Sequence, residues 1–391
     1  MSRPYAVRLG TSLLVAFLLH SGVLGCSDGD RTVLTAADFV GSQECLACHE
    51  EMASVLGTAH HQTSRTPSDS SITGSFAAED RILRTSNPYL RFEMEARPDG
   101  FYQNAVTDRG SDTTTRSERI DIVIGSGRRG QTYLYWQGDS LFQLPISYWT
   151  ALESWVNSPG YRDGVANFAR PITPRCLECH ATFVESRPDT VMMNRYDPST
   201  FHFAVSCERC HGPGREHSAR PRSWLTMWRG RAIANPANLP RDRHMDVCAL
   251  CHSGVGESIA PPFSYVAGES LEEYLVPAPV PPGEEVDVHG NQVALLERSR
   301  CFQASTTMTC STCHDVHVSQ RDPDSYVPRC MECHEVQSCG LYPERGAAIA
   351  DGCVDCHMPD LPSSTVVSSH EGRTVQPRIR SHWIRVYREG G

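Results

Sequence analysis

Seven five-residue groups of the form Cys-x-x-Cys-His recur along the chain: Cys45, Cys48 and His49; Cys176, Cys179 and His180; Cys207, Cys210 and His211; Cys248, Cys251 and His252; Cys310, Cys313 and His314; Cys330, Cys333 and His334; Cys353, Cys356 and His357. On one helical turn, positions i, i+3 and i+4 share a face. Two thiols and an imidazole so placed can reach the two vinyl groups of a porphyrin and stand beneath its iron, which is the chemistry of c-type haem attachment. Zinc knuckles and disulfides also use paired cysteines, but neither has a reason to place histidine directly after every second cysteine. The spacing predicts seven covalently bound haem c groups with iron, the motif histidines serving as proximal ligands.

Iron that is closed on both faces needs a second ligand, and the remaining histidines are the natural supply. Of 17 histidines, seven sit in motifs and His20 in the leader. The distal candidates are His60, His202, His217, His244, His289, His317, His370 and His382. His61 is set aside because adjacent side chains on a helix point about 100° apart, so only one of His60 and His61 can serve. His217 and His317 follow their own motifs too closely to cross that porphyrin and are expected to ligate a neighbour's iron. Met245 and Met358 are possible substitutes.

Fourteen of 17 cysteines lie in the motifs, leaving Cys26, Cys301 and Cys339. Residues 1–25 carry Arg3 and Arg8, an apolar run from Leu13 to Leu19, then Val23-Leu24-Gly25 before Cys26. That order of charged, apolar and small residues is that of an export signal, with a run too short to span a bilayer. Its end resembles a bacterial lipobox, which implies that Cys26 becomes the lipidated first residue of an outer-membrane lipoprotein facing the periplasm or cell surface. In that oxidising compartment Cys301 and Cys339 are expected to form a disulfide.

The elements that must position these groups follow from composition and periodicity. The formal charge is −10 and the chain has 36 Lys plus Arg, every one of them arginine. An acidic balance excludes a nucleic-acid partner, which needs clustered basic surface, while the arginine fork matches a haem propionate. Hydrophobic residues make up 39%, modest for a conventional core, so porphyrins are expected to supply apolar bulk. The predicted fold is therefore mainly α and irregular, short helices and loops around stacked haems, with an inserted antiparallel β meander. The expected divisions are a signal peptide at 1–25, a tether with the first motif at 26–71, the β-rich insert at 72–148, a module of three motifs at 149–260, a proline-rich connector at 261–300 and a last module of three motifs at 301–391. In the insert, Leu90, Phe92 and Met94 alternate with Arg91, Glu93 and Glu95, the period of a half-buried strand. Gly125-Ser126-Gly127-Arg128-Arg129-Gly130 fits G-x-G-x-x-G, but a strand rich in Tyr and Trp follows it where a dinucleotide site needs a helix.

Several phrases resemble the exported multihaem c-type cytochromes related to the tetrahaem electron acceptor of hydroxylamine oxidoreductase. They are Phe39-Val40-Gly41-Ser42 with His60 after the first motif, Val205 to Gly214, Cys310 to His317, and Cys353 to Pro359. The resemblance implies closely packed, mostly bis-histidine haems that serve electron transfer; the β insert lies outside it.

Two functions compete on this reading. One is electron transfer among close haems in the bacterial cell envelope, with redox proteins as partners and the membrane reached through the lipid anchor. The other is an oxidoreductase acting on a small nitrogen or sulfur compound at one open haem. No catalytic residue is assigned, and a carrier fits the motif number better than a catalyst. A chain without lysine also lacks the lysine proximal ligand that related reductases often use. The address is testable separately: Cys26→Ser should leave the precursor unprocessed and unlabelled by a palmitate analogue, and equal labelling of both proteins would remove the lipid anchor.

Overall fold

Alternating apolar and polar residues become sheet when one face is buried, and here that pattern produces eleven strands between Ser64 and Pro171. The structure is a computed structural model that describes residues 33–187, 191–219, 233–279 and 285–387. The strands are β1 (Ser64–Arg65), β2 (Ile82–Arg84), β3 (Leu90–Arg97), β4 (Gly100–Asp108), β5 (Thr113–Arg119), β6 (Ile122–Ile124), β7 (Gly130–Gln137), β8 (Ser140–Gln143), β9 (Ile146–Trp149), β10 (Ser154–Asn157) and β11 (Arg170–Pro171). Seven make one antiparallel sheet, in the order β1-β6-β7-β8-β11, with β9 paired to β7 and β10 to β9. A second sheet is the meander β2-β3-β4-β5.

Successive strand residues point to opposite faces, and the large sheet uses both. Val123, Tyr133 and Tyr135 face the small sheet and pack with Phe92, Met94 and Trp155, all 2% exposed or less. Ile122, Ile124 and Leu134 turn the other way, onto Leu177 of the second motif, Phe183, Tyr196 and Phe263. The large sheet is thus a middle layer, closed on one side by the meander and carrying motif-bearing chain on the other. Each such apolar side chain stabilises by roughly 1.5–3 kcal/mol on full burial, so the scaffold has a core of its own.

The expectation of a mainly α chain is overturned, although the inserted antiparallel sheets are present. About 29% of the residues are helical and 23% are in strands. Beyond the two sheets, four two-stranded pairs occur among the described residues, including Ala181–Phe183 with His202–Phe203 and Asp360–Pro362 with Arg378–Arg380. Helix length is the physical reason. The motif helices Pro174–Glu178, Cys207–His211 and Cys353–His357 have five residues each, and among the described residues Arg241–His252 is unusual in reaching 12. One turn is all that two thiols and an imidazole need, and helices that short have little stability without tertiary packing.

Two further stretches bear on the site. Gly125 to Gly130 joins β6 to β7 as a hairpin; Gly125 has φ +103°, and a Cβ there would come 2.7 Å from the Gly130 carbonyl oxygen. In the proline-rich stretch, Phe263, Tyr265, Leu271 and Tyr274 are all buried in the core.

Buried carboxylates inside the motifs tie distant segments together. Glu208, 2% exposed, accepts from the backbone N–H of Val40 at 2.9 Å, Gly41 at 2.8 Å and Gly214 at 2.8 Å. The lead into the first motif is thereby fastened to the third. Glu178, in the second motif, accepts from Phe263 N–H at 2.9 Å. Hydrogen bonds to charged groups contribute about 1.5–3 kcal/mol each, and buried donors left unpaired cost more. Glu208→Ala should therefore lower stability by at least about 3 kcal/mol in chemical denaturation, with Glu208→Gln losing less; a change below about 1 kcal/mol would show that water replaces the carboxylate.

Candidate haem sites

Backbone bonds close the motifs into single turns: His49 N–H to the Cys45 carbonyl at 3.0 Å, His314 to Cys310 at 2.9 Å, His334 to Cys330 at 3.0 Å. Each turn presents its two thiols and its imidazole together. Both cysteines and the histidine of all seven motifs line one continuous cavity of about 4230 Å³. Among the described residues no three or more His, Cys, Asp or Glu side chains converge as a metal-ion site would, whereas an iron already held by a porphyrin asks the protein for only two axial donors.

Several of the candidate histidines face a motif histidine ring to ring. The rings of His49 and His217 stack with centroids 6.4 Å apart, His211 and His317 at 6.2 Å, and His314 and His382 at 6.1 Å. His60 and His252 stand 6.1 Å apart with ring planes at 80°, an arrangement open to axial ligands because each ring turns freely about its own metal–nitrogen axis. With metal–nitrogen distances of about 2 Å, two imidazoles on one metal place their centroids about 6 Å apart. His289 lies near enough to His180 to disfavour charge on it, and His252 does the same to His289. His217 and His317 thus face the histidines of other motifs, His49 and His211, and not those of their own.

Ring orientation is set by hydrogen bonds at Nδ1. His211 Nδ1 donates to the Ala234 carbonyl at 2.8 Å, His357 Nδ1 to the Arg385 carbonyl at 2.9 Å and His382 Nδ1 to the Arg380 carbonyl at 3.2 Å. His252 Nδ1 meets the Gln292 Oε1 at 3.2 Å, and His180 Nδ1 the Thr63 hydroxyl at 3.0 Å. A carbonyl can only accept, so the proton sits on Nδ1 and the Nε2 lone pair is left for a metal. Burial, reinforced by neighbouring histidines, pushes His60, His180 and His382 down to about 4. They are neutral at physiological pH, the form that ligates.

The other histidines are engaged elsewhere. His244 Nε2 meets the Ser311 hydroxyl at 2.9 Å, and His61 Nε2 the Ser42 hydroxyl at 3.2 Å. His202 packs against the rings of Phe39 and Phe183. His370 lies in the strand Ser368–His370, away from the cavity lining, its buried Nδ1 without a hydrogen-bond partner. Met245 touches the Cys310 sulfur at 3.7 Å, and Met358 lines the cavity beside its own motif. Thr63 and Gln292 escaped sequence reading, since nothing local marks a threonine 117 positions from the ring it orients.

Cysteine contacts put the motifs in spatial order. Cys45 is in side-chain contact with Cys207, Cys179 with Cys251, and Cys248 with Cys310. Cys313 lies within charge range of Cys330, and Cys330 of Cys353. Cys301 and Cys339 are separate thiols on the same cavity wall, Cys301 near Cys313 and Cys339 near Cys353. Arg128, Arg298 and Arg300 also line the cavity, where guanidinium groups suit propionates. Cys26 and the leader lie outside the described residues, and among those described no helix is long and apolar enough to cross a membrane.

Residues 156–212, which contain the second and third motifs, match the family model described as cytochrome c554 and c-prime. The match supports a c-type cytochrome. It implies covalently bound haem c and an electron-transfer role, and it carries no specific relation to hydroxylamine oxidoreductase. No curated protein and no solved structure matches the chain.

The ring pairs give the distal candidates a testable division. His317→Ala and His382→Ala should each convert one low-spin haem into a high-spin, carbon-monoxide-binding one with no loss of covalent haem. His244→Ala and His61→Ala should convert none. Electron paramagnetic resonance of the oxidised proteins reads the difference, and a new high-spin signal from either control would refute the assignment.

Proposed function

We propose that this chain is a heptahaem c-type cytochrome that carries electrons through the bacterial cell envelope. The observation that carries the reading is the shared cavity, whose wall takes in both thiols and the imidazole of every motif. Divided among seven motifs, 4230 Å³ leaves about 600 Å³ each, within the roughly 300–1,000 Å³ of a ligand-sized site. The cysteine contacts run from the first motif to the third, then to the fourth, fifth, sixth and seventh, with the second joined at the fourth. Electron tunnelling falls off steeply with distance, so adjacency of this kind is what a conducting path requires.

Bound haem iron supplies the one-electron chemistry. The chain's own residues hold neutral imidazoles coaxially, fix their tautomers through Nδ1 and keep water away from the buried rings. A ligand set that stays in place between oxidation states keeps the rearrangement accompanying each electron small. Export, a lipid anchor at Cys26, an outer-membrane address and redox proteins as partners belong to this reading; the acidic balance argues against nucleic acid.

Intact mass under denaturing conditions should equal the mature chain plus seven haems, and reductive titration should take up seven electrons. A mass short of seven haems refutes the heptahaem reading, and full haem loading without electron exchange among the haems refutes the carrier.

A further inference from the structure

Resting on the haem reading above, we infer that the two C-terminal motifs, at His334 and His357, leave their distal positions to a small external ligand rather than to a side chain of this protein. The argument begins with supply. Outside the motifs and the leader the chain has nine histidines, and all nine are among the described residues. Five stand opposite a motif: His217, His60, His317 and His382 across about 6 Å from His49, His252, His211 and His314, and His289 near His180. The remaining four are engaged by Ser42, by Phe39 and Phe183, by Ser311, or lie off the cavity wall. Among the described residues neither His334 nor His357 has a histidine ring stacked against it.

The nearest methionines and tyrosine are poorly placed to substitute. Met331 and Met358 belong to or directly follow these two motifs, so each sits on the proximal side of its own porphyrin. The Tyr387 hydroxyl, on the same wall, is bonded to the Trp383 carbonyl at 2.9 Å and the Ser381 hydroxyl at 3.1 Å. His357 is nonetheless a built ligand: its Nδ1 is held by the Arg385 carbonyl as His211 is held by Ala234. The motif is set up to bind iron from one side.

Neither of these two motifs is buried. Cys333, His334 and Cys356 are exposed, as are Cys48 and His49 of the first motif and Cys176 of the second. The two motifs are neighbours through Cys330 and Cys353 and stand at the end of the contact series. Nearby cations are occupied: Arg329 pairs with Glu332 at 2.8 Å and Arg380 with Asp355 at 2.8 Å, while Arg385 lies 3.8 Å over the Trp383 ring. With those charges offset and the next motif adjacent, the fitting class is a small, uncharged Lewis base.

The test uses the full holoprotein with carbon monoxide as the probe. After dithionite reduction, titration should give two carbon monoxide per seven haems, and the oxidised protein should show two high-spin irons. Cys353→Ser with Cys356→Ser should lower the stoichiometry to one, and His382→Ala should raise it to three. A wild-type value of zero or one, or a value of two that survives loss of the Cys353 haem, overturns the inference. Haem count by mass is read independently, so a protein with seven haems and no open iron sinks this inference alone, and one short of haem sinks the proposed function itself.

Discussion

Two imidazoles that share one metal must meet along one line, about 6 Å from ring to ring, and among the described residues four pairs of histidine rings stand at that separation. One ring of each pair is fixed locally by its own helical turn. The other arrives from far along the chain, as His217 does for His49 and His382 for His314. The fold must therefore bring distant segments together to within a few tenths of an ångström while leaving a flat volume between them. Buried carboxylates and backbone carbonyls meet that demand. Glu208 clamps the first motif's lead to the third motif, and carbonyls of Ala234, Arg380 and Arg385 turn the rings so that Nε2 faces inward.

The sheets belong to the same problem. Single-turn helices around a cavity have little to pack against except one another and a porphyrin, so rigidity has to come from elsewhere. The large sheet supplies it, carrying the second motif's Leu177 against Ile122, Ile124 and Leu134 and holding Thr63 beside His180. That threonine immediately precedes β1, which pairs with β6 through Ser64 and Ile124. The hairpin Gly125 to Gly130 reaches the cavity wall with Arg128 and Arg129, so the insert both supports the motif layer and contributes to its lining.

The proximal and distal halves of the site were legible to different degrees. Every motif cysteine and histidine can be read from spacing, because the relevant chemistry is contained in one helical turn. The strands between Leu90 and Gln143 follow from period two. The share of strand did not: β10, Ala181–Phe183 and Asp360–Pro362 are short, lie next to motifs and show too few residues for a period to register, so a helical module was expected where sheet edges pack.

By itself the sequence determined where the thiol, thiol and imidazole turns lie and how many there are, since a spacing of i, i+3 and i+4 is local. It also determined that a β layer interrupts the motifs. Only the tertiary structure decided which histidines face which motifs, because partners such as His211 and His317 or His60 and His252 are joined by packing and not by spacing. Spacing allows only one of His60 and His61 to serve, and it offers both His317 and His244 as distal candidates. What separates them is which ring nitrogen a neighbour holds, Nε2 by Ser42 and Ser311 in the two bystanders, and a hydrogen bond across tens of residues is written in the fold alone.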